Sequence, residues 1–305
     1  MKNSKTFGNL ILLITSIVWG VAFVFQRTGM DSITPITFNA ARMAAATIFL
    51  VALSIILDFK SHKNSPGTSE SEEKNIKKRK RATIIGGIIC GLFLAASSTV
   101  QQMGIVHTSA GKAGFITAMY MLFVPIFNLF IFKKKTSKIV WLAVLLGLVG
   151  MYLLCVKESF ILSEGDALIL LCAILFSGHI LCCDRFAPHC DAVKLSAIQF
   201  GVSAVICSIL AFIFEKPCVE GIIEAAIPIL YCGVMSGGVG YTLQIMGQKH
   251  TEPATASLIM SLEAVFAALA GVMLLNESMS IQEIIGCIVM FVAMVLVQLP
   301  DIKKN

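Results

Sequence analysis

Ten stretches of this chain are long, apolar and poor enough in charge to cross a bilayer, with limits near Phe7–Gln26, Pro35–Leu57, Ala82–Gly104, Ala113–Phe132, Ile139–Val156, Asp166–Cys183, Val193–Phe214, Ile222–Met246, Ala254–Asn276 and Ile281–Leu299. A spanning helix needs about 20 predominantly apolar residues. Lipid tolerates only helices and closed barrels, because every backbone polar group must be satisfied internally. Barrel strands alternate in polarity over about 10 residues, and these runs do not alternate. Composition agrees: 57% of the 305 residues are apolar and 14% charged, against roughly 45–50% and 25% in soluble domains, and no soluble core could absorb the surplus. The expected fold class is an all-α polytopic membrane protein of ten transmembrane helices. The first stretch follows Lys2 and Lys5 much as a signal peptide would, but no small-x-small cleavage site closes it, and it reads as a retained span.

Charge then orients the chain. With ten spans, both termini and the segments after spans 2, 4, 6 and 8 share one side, and that side carries 19 of the 24 basic residues. The other side carries Arg27, Lys112, Lys157 and Lys216, and Arg42 lies within a span. Basic residues accumulate on the cytoplasmic side, so both termini are expected there, in a cell (inner or plasma) membrane. The longest connection, 58–81, is polar, with Ser65-Pro66-Gly67 as its breaker and a run of bases from Lys74 to Arg81. That run abuts a span, so its expected partner is anionic lipid headgroups rather than nucleic acid.

The chain also repeats itself. Displaced by 143 residues, Gln101, Met103, Gly104, His107 and Thr108 fall on Gln244, Met246, Gly247, His250 and Thr251, and the register continues through Ala113/Ala256, Ile116/Ile259 and Phe123/Phe266. A weaker register, offset by 157, sets Trp19 against Phe176 and Arg42 against Gln199. The expected division is 1–157 and 158–305, each with five helices. Five is odd, so the second unit must enter the membrane from the opposite side, giving an inverted 5+5 repeat of the kind that builds secondary transporters with a site between the halves.

Two five-helix halves, Trp19-Gly20 in helix 1, Arg42 in helix 2, and Ser261-Leu262-Glu263-Ala264-Val265-Phe266-Ala267-Ala268 running on to Leu275-Asn276-Glu277 resemble the EamA-type drug/metabolite transporter superfamily over nearly the whole chain. The resemblance implies a carrier of small organic solutes. Two departures bear on the site. Ala264 stands where the family often has Pro, which argues against a helix break at Glu263, and Lys133–Lys135 replace the acidic residue usual at the end of helix 4, which argues against a site there.

Within the spans the chemistry-bearing residues are few. Glu263 lies near mid-membrane, where a charged, unpaired carboxylate costs at least about 2.5–3.5 kcal/mol. It must be protonated, paired or turned to a hydrated cavity, and it serves either as a proton-titrating or solute-orienting group or as an anchor between helices. Arg42 has three readings: an ion pair with Glu263, snorkelling to the surface, or contact with an anionic solute group. Helix 3 carries Ser97, Ser98, Gln101 and Gln102 as two ladders, and helix 8 carries Tyr241 and Gln244 at the matching places. The expected substrate site comprises Trp19, Phe23, Ser98, Gln101, Gln102, Tyr120, Tyr241, Gln244 and Glu263, with Tyr120 opposite Glu263 by the 143-residue offset. Gly87-x-x-x-Gly91 and the glycines from Gly233 to Gly240 allow close helix packing, and the second group is also a place where a helix could bend.

No catalytic residue, cofactor or metal is expected. His179, Cys182, Cys183, His189 and Cys190 are the densest group of potential ligands, but their spacing matches no zinc signature and only His179 and Cys183 share a face. The ten cysteines lie mostly within spans and form no extracellular framework. Enzyme and P-loop motifs are absent from the sequence, so uphill transport would draw on an ion gradient, with protons at Glu263 the first expectation. The sequence therefore reads as a small-solute exporter working by alternating access. The rival classes are a membrane-embedded enzyme acting on lipid and a structural or receptor-like bundle.

Overall fold

The computed structural model describes residues 2–62, 70–107, 110–155, 163–275 and 278–298. Ser65–Gly67, Lys157, Asn276 and Glu277 lie outside the described residues. The described residues form α1 (Lys2–Gly29), α2 (Pro35–His62), α3 (Glu70–Ile105), α4 (Ala110–Thr117), α5 (Tyr120–Phe132), α6 (Lys138–Cys155), α7 (Glu164–Phe186), α8 (Ala192–Phe214), α9 (Val219–Glu224), α10 (Ala226–Leu230), a π-helical segment (Tyr231–Gly240), α11 (Tyr241–Gln248), α12 (Pro253–Met260), α13 (Glu263–Leu275) and α14 (Ile281–Gln298). Among the described residues there is no strand, and nine helical stretches are long and apolar enough to cross a membrane, with Lys138–Leu154 as a shorter apolar helix. Large apolar side chains such as Phe130, Phe212, Met273 and Ile281 point outward, while Gln101, Gln102, Gln244, Arg42 and Glu263 are buried. That inside-out distribution belongs to a protein whose solvent is lipid.

Helix ends follow their local sequences. Ser163 and Asp166 close a reciprocal capping box on α7, and Ser280 and Glu283 do the same on α14. Much of the expected 58–81 connection is helical, because α2 runs to His62 and α3 already begins at Glu70, its polar start being rich in the good helix formers Glu, Lys and Arg. The N-terminus of α2 is capped from outside its own segment: the carboxylate of Glu215, just past α8, accepts bonds from Ile36 N (3.1 Å), Thr37 N (2.7 Å), Thr37 Oγ1 (2.7 Å) and Thr34 Oγ1.

Burial alone would raise the pKa of Glu215, but the bonds from Thr34, Thr37 and the two backbone amides outweigh it and hold the carboxyl below its ordinary value of 4.5. A depressed native value means that the stabilisation is full above the ordinary glutamate range and disappears as pH falls through the native value. Glu215→Gln is expected to cost about 1 kcal/mol at neutral pH. Thermal melts of the two proteins should converge at acid pH, and a gap independent of pH would show that the carboxylate charge contributes nothing.

Glycine sets how closely the helices approach. A Cβ on Gly87 would lie 2.6 Å from Ile198 Cβ, and one on Gly91 would lie 2.8 Å from Gln199 O, so α3 is pressed directly on α8. A Cβ on Gly233 would lie 2.6 Å from Ala45 Cβ and 2.9 Å from Arg42 O, both on α2. The pairings are mirrored along the chain: α3 packs on α7 and α8, while the 226–248 region packs on α1 and α2; α6 packs on α14, and α2 on α8.

Three expected spans are interrupted. The 113–132 span breaks at Ala118-Met119, the 254–276 span at Ser261-Leu262, and the 222–246 span is divided near Ala225 and then widens into the π segment. The first two breaks lie 143 residues apart and have one cause: Met121 N bonds Ala118 O (3.1 Å) and Ala264 N bonds Ser261 O (3.2 Å), each an i→i−3 bond that tightens the turn. The expectation of an unbroken helix at Glu263, drawn from Ala264, is thereby corrected. The break needs no proline, and Ser261 Oγ, which donates to Leu258 O (2.7 Å), adds a side-chain competitor that bends helices.

Candidate functional site

Because both breaks fall at equivalent places, Tyr120 and Glu263 each begin the second half of a broken helix. Their side chains meet: Tyr120 Oη donates to Glu263 Oε1 at 3.0 Å, with both groups buried. The pair forms one wall of a cavity of about 50 Å³. A single water needs roughly 10–15 Å³, so the cavity has room for a few waters and its polar walls can be hydrated.

α1 contributes Trp19, Phe23 and Gln26, at i, i+4 and i+7 on one face. Trp19 Nε1 donates to Ser236 O in the π segment (3.2 Å), and its ring lies 4.7 Å from that of Tyr241. Tyr241 also meets His179 and Phe200 edge-on, at 5.7 and 5.2 Å. His179 bonds Gln199 Oε1 through Nε2 (3.0 Å). These contacts fix an aromatic wall whose rings hold each other in orientation.

Arg42 lines the same cavity, and its Nε donates to Asn39 Oδ1 at 2.9 Å rather than to Glu263. The direct Arg42–Glu263 ion pair considered from sequence is not formed. Asn39 is held in turn by Ser98 Oγ (3.1 Å) and Thr99 Oγ1 (3.3 Å). Ser98 therefore stands behind the cavity, supporting the group that positions the guanidinium. Gln102 also lies off the cavity, with Nε2 on Met30 Sδ (3.3 Å) and Oε1 without a partner. Gln101 does line it and donates to Thr117 Oγ1 at 3.4 Å. Of the other expected residues, Trp19, Phe23, Tyr120, Tyr241, Gln244 and Glu263 come together there.

Residues not anticipated for the site are Gln26, Thr117, Phe176, His179, Ile180 and Ser236. Two had legible signals: Gln26 continues the Trp19–Phe23 face, and Phe176 answers Trp19 in the 157-residue register. His179, weighed above as a metal ligand, instead shares the aromatic wall. Cys183 Sγ lies 3.6 Å from His179 Nε2 and 3.8 Å from Cys90 Sγ, and among the described residues no three His, Cys, Asp or Glu converge as an ion site.

A second, larger cavity of about 700 Å³ opens at one end of the bundle. Lys134, Lys135, Arg185 and Lys249 outnumber Asp184 and Glu252 on its walls, so the end of α5 takes part in a basic vestibule. Lys249 there has its pKa lowered, first by burial and then by nearby Arg79. Gln248 lines the vestibule and donates to the backbone O of Ile180, a residue of the inner cavity, at 3.0 Å. This bond joins a residue of one space to a residue of the other.

The EamA-like transporter family matches the chain twice, over residues 6–156 and 163–299. Among similar proteins are an uncharacterized transporter of Archaeoglobus fulgidus, 26% identical over 97% of this chain and 87% of that protein, and the uncharacterized transporter YoaV of Bacillus subtilis, 22% identical over 91% of each. The uncharacterized inner membrane transporter YedA of Escherichia coli is 24% identical over 96% of this chain and 90% of its own. A protein of known crystal structure shares the fold, with a TM-score of 0.75 over 95% of this chain and 96% of that one at 14% identity.

Proposed function

The chain belongs to the EamA-like transporter family, a multi-pass membrane protein, and on that premise we propose that it is a secondary-active exporter of small organic metabolites, amino-acid-like or drug-like solutes, working by alternating access with protons coupled at Glu263. The observation that carries this reading is the buried Tyr120–Glu263 bond between two helices broken at equivalent positions. Broken helices that meet at mid-membrane are the usual setting of a carrier site. Arg42, free of Glu263, is available to a carboxylate on the solute; Glu263, to a proton or an ammonium.

In this reading ten spans form an inverted 5+5 repeat, divided at 157/158, with both termini cytoplasmic. The twofold family match, the mirrored helix pairings and the paired breaks support the repeat. Bonds from Ser4 to His250, Asp58 to Lys194 and Arg79 to Asp191 join segments that the charge bias assigns to one side, and so support their sharing a side. The exposed bases of 77–81 then meet anionic headgroups.

Purified protein in proteoliposomes should give saturable flux of a labelled amino-acid mixture or of a cationic dye, accelerated by a pH gradient. Flux indifferent to the gradient would remove proton coupling, and turnover of an added lipid without solute flux would replace the carrier with an enzyme.

A further inference from the structure

Gln244 is the least satisfied polar group in the cavity. It is 1% exposed, and neither Oε1 nor Nε2 has a hydrogen-bond partner. Leaving both ends of a buried amide unpaired is expensive, and such groups in a native fold call for a partner from outside the chain. Its counterpart 143 residues earlier is not in this condition: Gln101 Nε2 reaches Thr117 Oγ1. The residue 143 after Thr117 is Met260, which has no hydroxyl. The second half has thus lost the partner that the first half keeps, and the amide left over lines the cavity.

We infer that Gln244 is a solute-recognition residue, and that the transported class carries a donor and an acceptor side by side, as in a carboxamide, a urea or the amide edge of a heterocycle, on a planar or apolar body. The inference rests on the carrier reading and narrows its substrate. A carboxylate only accepts and would leave Oε1 unpaired; an ammonium only donates and would leave Nε2 unpaired. A carboxamide satisfies both atoms at once. Tyr241, one turn before Gln244 on α11, and Trp19 beside it supply the face for the body of the solute.

The chain has two tryptophans, so Trp141→Phe leaves Trp19, in the cavity wall, as the only indole reporter. Benzamide and acetophenone have the same shape and differ in an amino group against a methyl. In the Trp141→Phe protein, quenching by benzamide should be at least about tenfold tighter than by acetophenone, since a site built around a hydrogen bond rejects the analogue lacking it. In Gln244→Leu on that background the preference should shrink to within about twofold, with acetophenone little changed. If that variant is not monodisperse, Gln244→Met, which keeps nearly the size but has neither the amide donor nor the oxygen acceptor, should show the same collapse. A preference that survives either substitution, equal binding of the two probes, or no response to benzamide would overturn the assignment and leave water as the amide's occupant. Flux without a benzamide preference would defeat this assignment alone. A Gln244-dependent preference without flux of any solute would defeat the carrier reading instead.

Discussion

With Glu263 changed to Gln, accumulation driven by a pH gradient should fall at least about tenfold, equivalent to about 1.4 kcal/mol or more of coupling free energy, while exchange without a gradient continues. Gln keeps the size of the side chain and an oxygen that can accept from Tyr120 Oη, so the bond seen at 3.0 Å has a substitute and the helices have no reason to separate. What is lost is the capacity to bind and release a proton. Glu263 opens α13, a helix of 13 residues, and the positive end of a helix favours the charged form, while burial at 6% exposure opposes it. In the proton-coupled reading, a change of access at this buried carboxyl is the event that binds or releases the proton. Tyr120→Phe should weaken the same coupling by a smaller factor, because it removes the donor and leaves the carboxyl. The two-part readout, gradient-driven accumulation against gradient-free exchange, separates this from a structural role. If the Glu263→Gln protein loses thermal stability and both fluxes in parallel, Glu263 is an anchor and not a coupling group.

Gly20→Ala is expected to lower stability by about 1–3 kcal/mol. A Cβ there would lie 2.4 Å from Phe266 Cβ, 2.8 Å from Ala267 N and 2.8 Å from Glu263 O. Two of these atoms are backbone and cannot rotate aside, so α1 and α13 must part. α1 carries Trp19 and Phe23 and α13 carries Glu263, so the cavity opens along the seam and flux per folded molecule should fall with the melting temperature. Gly114→Ala is the control: a Cβ there meets nothing within 4 Å, and the change should stay within about 0.5 kcal/mol. Equal melts for the two variants would show that α1 and α13 are not held at this distance.

The order of the spans, the pairing of Tyr120 with Glu263 and the placing of Gln244 were legible because each rests on length, on polarity in an apolar setting, or on an offset within the chain. What was not legible depends on rotation. Helix 3 offers two polar ladders about 100° apart, and residue spacing alone does not say which one turns inward. Gly87 and Gly91 decide it by pressing α3 against α8, which turns Gln101 to the cavity and leaves Ser98 and Gln102 facing Asn39 and Met30. His179 was hidden for a similar reason: its partner, Gln199, comes from another helix. The break at Glu263 was missed because proline is the familiar signal for one, and here tightened i→i−3 bonds and a serine hydroxyl take its place.

The wide winding of residues 231–240 has a mechanical meaning. An i→i+5 helix turns its side chains through a smaller angle per residue than an i→i+4 helix, so the azimuth of everything beyond Gly240 is set by how much of that segment is wound wide. At its start Tyr231 is stacked on Phe25 at 4.4 Å; beyond its end Tyr241 and Gln244 face the cavity. Phe25 of α1 thus holds the start of the segment, and the cavity wall hangs on its far end. Rewinding even one turn to the tighter pitch would swing the aromatic wall and the free amide together about the helix axis and draw Ser236 O away from Trp19, so a change of pitch within one helix would alter the cavity wall and its bond to α1 at once.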